Sequence, residues 1–89
     1  MASYRLIWKR SAEKELRKIP RDAVSLLLEL AESLIENPFP AGYKKLVGTE
    51  ETYRVRSGNY RLIYQIKDKQ LIIEIVRVGH RSNVYKQPA

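Results

Sequence analysis

Apolar residues recur at two different spacings in this chain, helical in the first half and strand-like in the second. Tyr4, Leu6 and Trp8 alternate with Arg5, Ile7 and Lys9, which predicts an opening strand. Ala12, Leu16 and Ile19 then follow a helical spacing until Pro20, which has no amide proton to continue a helix. Ser11 is placed to cap this helix, and Glu13 falls in its first turn, where the helix end favours an acid. Val24, Leu27, Leu28, Ala31, Leu34 and Ile35 form a second, longer apolar stripe, with Asp22 as the expected cap and Asn37-Pro38 as the stop. The short link around Pro20 predicts an antiparallel helical hairpin.

Beyond a loop over 39–42 the period shortens to two. A short strand is expected over 43–47, with a turn around Gly48. The run TYRVRSGNYRLIY, residues 52–64, reads as two strands joined by Gly58-Asn59, a two-residue turn of the Gly-X kind. That loop pairs Ser57 with Tyr60 and sets Arg56 opposite Arg61. Arg54, Arg56 and Arg61 then share one face, while Tyr53, Val55, Tyr60, Leu62, Tyr64 and Ile66 share the other. Asp68-Lys69 marks a tight turn, and residues 71–78 are almost continuously apolar and β-branched, the composition of a central buried strand. From Gly79 the chain is expected to leave the sheet, with one helical turn over 82–86.

A strand, two helices and then a run of strands imply a small α+β domain over residues 1–89. The helical hairpin packs on one face of a mostly antiparallel sheet of four to five strands, with a short C-terminal turn of helix. The apolar hairpin face meets the helices, which leaves the arginine face to solvent. Like charges opposed across a ladder destabilise it, so a small protein that keeps Arg56 against Arg61 is expected to hold an anion there.

Charge sharpens that expectation. Residues 1–42 carry seven Lys/Arg against six Asp/Glu, whereas residues 43–89 carry ten against four, so nearly all of the net charge of +7 sits in the second half. Such asymmetry points to a polyanionic partner. The absence of cysteine excludes disulfides and thiolate chemistry, and a single histidine argues against a His-based metal site. Neither a metal nor a cofactor is expected. No apolar run approaches the length of a membrane span and no signal-peptide pattern opens the chain, so the expected location is the cytoplasm, away from membranes.

YRVRSGNYRLIYQI followed by VRVGHRSNVY resembles the core of toxins in the RelE/ParE superfamily of toxin–antitoxin systems, and the resemblance spans essentially the whole chain. It implies the RelE-like fold and, within the superfamily, the branch that cleaves messenger RNA in the ribosomal A site. That branch uses two basic residues before the glycine turn, which fall on Arg54 and Arg56. It also uses an arginine after the turn, here Arg61, another after the final strand, here Arg81, and a nearby tyrosine, here Tyr85. Some members carry lysines where this chain has arginines in the hairpin, and some a lysine in place of His80. The chain stops four residues after Tyr85, so the C-terminal helix is expected to be very short. The resemblance further implies a cognate antitoxin in a hetero-oligomer, and the ribosome with its mRNA and rRNA as the working partner.

Metal-free RNA cleavage needs a base for the 2′-hydroxyl, stabilisation of the charged phosphorane and an acid for the departing 5′-oxygen. The guanidinium forks of Arg54, Arg56, Arg61 and Arg81 match phosphate oxygens but are poor bases. His80 and Tyr85 are the candidates for proton transfer, and which is base and which is acid stays open; a tyrosine there can equally stack on a nucleobase. Lys44, Lys45 and Lys86 are expected to attract RNA electrostatically. Two rival functions fit the same scaffold: a ParE-like inhibitor of DNA gyrase without nuclease activity, and a catalytically inactive relative that binds RNA or the ribosome.

Overall fold

The computed structural model describes residues 4–46 and 51–80. In chain order the elements are β1 (Arg5–Trp8), α1 (Arg10–Leu16), α2 (Arg21–Ser33), β2 (Lys44–Lys45), β3 (Thr52–Ser57), β4 (Tyr60–Lys67) and β5 (Ile72–His80), with a 3-10 turn at Asp68–Gln70 between the last two strands. The five strands form one sheet in the order β1-β5-β4-β3-β2. β1 runs parallel to β5, pairing Arg5 with Ile72 through Trp8 with Ile75, and every other neighbour is antiparallel.

The two expected side-chain caps are absent. α1 starts at Arg10 behind Lys9, so Ser11 lies inside the helix; α2 starts at Arg21 behind Pro20, so Asp22 lies in its first turn. Pro20 wins the cap position because its carbonyl accepts from the Ala23 and Val24 amides while its own nitrogen needs no partner. Asp22 still sits where the helix end favours an acid. The helices cover one sheet face. Ala12, Leu27, Ala31 and Leu34 meet Val55, Leu62, Tyr64, Ile66, Ile73, Ile75 and Val78 in a single buried cluster. Leu28, read as part of the α2 stripe, is 39% exposed.

β5 is an interior strand between β1 and β4, but the middle and most buried strand is β4, and β5 is not regular. Tyr64 pairs with Ile75 and Ile63 with Arg77, so Val76 is an extra residue at a bulge. A bulge resets the alternation. Ile73, Ile75 and Val78, rather than Arg77, thereby face the core, and the strand runs on through Gly79 to His80 instead of leaving the sheet. The turn before it ends on Leu71 at φ +54°, a left-handed residue whose amide closes back on the Asp68 carbonyl.

Candidate functional site

The hairpin forms in the expected register. Only Gly58 of the two loop residues has a positive φ, +60°, as a type II′ turn requires. Ser57 pairs with Tyr60 and Arg56 with Arg61. Opposed residues share a face, so Arg54, Arg56 and Arg61 lie together on the side away from the helices. Lys44 joins them, because β2 sets it opposite Arg54, whereas Lys45 lies opposite Tyr53 on the helix side.

This face is not uniformly open, contrary to expectation. Arg56 is exposed, Arg54 is half-buried, and Arg61 is 9% exposed beside Ile63 at 7%. Arg61 stands on β4, the middle strand of the sheet, whereas Arg56 stands on β3 beyond the reach of the two-residue β2. Across β5, Arg61 faces Gly79, which has no side chain to set beside it. The result is graded. One guanidinium is enclosed and two reach progressively further toward solvent, all on the same face. An enclosed cation interacts with a bound anion through less screening water than an exposed one.

The bulge at Val76 decides where His80 goes. It pairs with Tyr60 on the helix side, its ring 5.8 Å from the tyrosine ring and nearly perpendicular to it. His80 therefore does not join Arg54, Arg56 and Arg61, although it is next to Gly79 in sequence. A regular strand would have put it there. It lines instead an open cleft of about 310 Å³ with Glu15, Lys18, Ile19, Tyr60 and Arg77. Arg81, Tyr85 and Lys86 lie outside the described residues.

The sequence reading missed the pair that anchors the end of β5. Glu15 of α1 accepts from Arg77 Nη2 at 2.8 Å and Nε at 3.3 Å, and from the Val78 amide at 3.1 Å. β1 stops pairing at Ile75, so the Val78 amide would otherwise face an open sheet edge. The sequence signal was Arg77 itself, one of two charges, with Glu74, inside an otherwise apolar run. Tyr64, fully buried in the core, donates to the Pro38 carbonyl at 2.7 Å. Burial pushes its phenol well above the ordinary tyrosine range, with the neighbouring Tyr53 and Tyr43 adding to the shift. Among the described residues no group of three or more His, Cys, Asp or Glu side chains is placed to hold a metal ion, and no helix is long and apolar enough to cross a membrane.

The family model described as the ParE toxin of the type II toxin–antitoxin system parDE matches residues 6–85. The chain is 36% identical over 78 residues to a putative toxin RelE1 of Methanocaldococcus jannaschii, covering 84% of this chain and 87% of that protein. It is 32% identical over 89 residues to the mRNA interferase toxin RelE of Escherichia coli, covering 96% and 93%. Among solved structures, the archaeal RelE–RelB complex from Pyrococcus horikoshii superposes with a TM-score of 0.79 at 30% identity, over 91% of this chain and 98% of that one. The family model, the sequence relatives and the structural superposition converge, and the chain belongs to the RelE/ParE toxin superfamily of type II toxin–antitoxin systems.

Proposed function

We propose that this protein is the toxin of a type II toxin–antitoxin pair and a ribosome-dependent endoribonuclease that cuts messenger RNA. The observation that carries the reading is the cross-strand pair Arg56–Arg61 with Arg54 on one sheet face. Three fixed positive charges on one strand pair suit a group whose negative charge grows during reaction, as a phosphate does when a fifth oxygen attacks it. The 2′-oxygen attacks the adjacent phosphorus and the bond to the 5′-oxygen breaks. The 2′-proton passes to a base and an acid protonates the leaving oxygen. Arg61, enclosed and fixed, stabilises the phosphorane; Arg56 and Arg54 hold the flanking phosphate charge. Arg81 and Tyr85 complete the set by resemblance, and Tyr85 takes over the proton-transfer role, since His80 faces the helices. The named relatives support the nuclease branch, one being an mRNA interferase and another a toxin solved with its antitoxin. The antitoxin of this chain would be a small partner with an acidic or amphipathic segment, and both would work in the cytoplasm.

A second reading has the family model behind it, since that model is described by a ParE toxin: inhibition of DNA gyrase without hydrolysis. Induction of the chain followed by mapping of transcript ends separates the two. The nuclease produces new ends inside translated messages and none in the same messages with the start codon removed. A gyrase inhibitor produces no new ends and relaxes plasmid supercoils. A chain that arrests no growth at good expression overturns both.

A further inference from the structure

The sheet margin next to the arginine face carries an exposed aromatic cluster that the proposed chemistry leaves unused. Tyr53 packs on buried Tyr64 with ring centres 5.9 Å apart, and Phe39 meets Tyr53 edge-on at 5.3 Å. Tyr43 lies 5.1 Å from Phe39 and 5.9 Å from Tyr53. The row runs outward from a fully buried ring to two open ones, with Phe39 44% and Tyr43 40% exposed. Its backbone is braced. The Tyr43 amide closes on the Pro40 carbonyl across a turn whose Gly42 has φ +84°, and the Phe39 amide donates to the Asn37 side chain. Exposed rings held in place by packing lose little further freedom on binding, which favours them as contact groups.

The charge around these rings says what they contact. β2, the outermost strand, consists of two exposed lysines. Lys44 lies on the arginine face opposite Arg54, and Lys45 lies on the aromatic face opposite Tyr53. The edge thus presents a cation to each side, forming a positive path from the arginine face, over the margin, to the rings. Alternating cations and flat apolar surfaces suit a strand with a charged backbone and bases free to stack. A purely acidic peptide, without apolar side chains, would satisfy the lysines but leave the rings without flat partners.

We propose that Phe39 and Tyr43 form a base-stacking shelf for single-stranded RNA that crosses the β2 edge, with Lys44 and Lys45 contacting its backbone on either side. The inference rests on the nuclease reading only in taking RNA as the ligand of the arginine face; it adds where the strand goes beyond the reacting phosphate. The test is equilibrium binding of the whole chain, at low salt, to a fluorescent 2′-O-methyl RNA dodecamer that cannot be cut, and to an abasic strand with the same number of phosphates. Stacking is worth about 1–3 kcal/mol per base, so Phe39→Leu and Tyr43→Leu should each weaken the RNA about fivefold or more and leave the abasic strand unchanged. Lys44→Ala and Lys45→Ala should weaken both strands and together lower the salt slope by about 1.4. A leucine variant that fails to fold loses both strands, so the abasic arm controls for misfolding.

Leucine variants that bind both strands as the parent does overturn the shelf and leave the arginine site standing. If they bind RNA normally but lose the antitoxin, the surface belongs to the protein partner and the inference falls. A parent that binds neither strand overturns the inference together with its premise. A parent that shows the full binding pattern yet cuts no message on ribosomes sustains the shelf and removes the nuclease reading.

Discussion

Replacing Arg56 with Gln should make the folded protein more stable while making it a worse toxin. Arg56 and Arg61 are directly opposed across β3 and β4, which sets their Cβ atoms about 4.5–5.5 Å apart and makes like charges unfavourable by up to about 1 kcal/mol. With the charged heads at roughly 7 Å, Coulomb repulsion is about 0.6 kcal/mol in bulk water and larger where water is scarce. Arg61 is only 9% exposed, so screening is incomplete and a gain near 1 kcal/mol is expected on removing its neighbour's charge. For a domain of this size that raises Tm by roughly 4–8 °C. The chain carries a net +7, so removing any cation lowers general repulsion. Lys69→Gln, at an exposed position in the Asp68–Gln70 turn, serves as the control. Thermal unfolding followed by circular dichroism in dilute buffer should show Arg56→Gln gaining clearly more than Lys69→Gln. In about 1 M salt, where the screening length falls to about 3 Å, most of that difference should vanish. Equal gains for the two variants, or a gain indifferent to salt, would refute the idea that this pair is kept at the expense of stability.

Two further outcomes follow from the packing. The Tyr64 phenol is raised by burial, so its proton is held more tightly folded than unfolded: its contribution is complete below about pH 10, the ordinary tyrosine value, and is lost above it as the unfolded phenol ionises. The parent should therefore lose stability steeply above pH 10. Tyr64→Phe should start about 1–2 kcal/mol lower, from the lost hydrogen bond and the orphaned Pro38 carbonyl, but fall off less steeply; parallel curves would sink the argument. Glu15→Gln weakens the tie between α1 and the free end of β5, and should cost about 1–2 kcal/mol and speed amide exchange at Val78. Unchanged exchange there would mean that the edge is held by something else.

The hairpin was fully legible because a two-residue Gly-X loop fixes register, and register fixes which side chains face each other; Arg56 against Arg61 followed from Gly58-Asn59 alone. The helix starts were misplaced by two residues because Ser11 and Asp22 are good cap types two positions inside those that Lys9 and Pro20 take. The end of β5 was misread: in IIEIVRVGH the two charges, Glu74 and Arg77, stand three apart, and that odd spacing is the one trace of the extra residue at Val76. That single insertion turns His80 away from Arg61 and brings Val78 into the core. The Glu15–Arg77 tie joins residues 62 apart in sequence, a separation that no local pattern encodes.

The claim that the arginine face acts on the reacting phosphate is tested most directly by single-turnover cleavage on ribosomes programmed with a defined codon, comparing the parent with Arg61→Gln. Loss of one preorganised donor to a developing oxyanion typically costs about 10²–10³ in rate. The rate is therefore predicted to fall by about that factor at saturating toxin, while ribosome affinity stays within about threefold, because the contact matters most in the transition state. A rate within tenfold of the parent, or a loss explained entirely by weaker binding, would contradict the account.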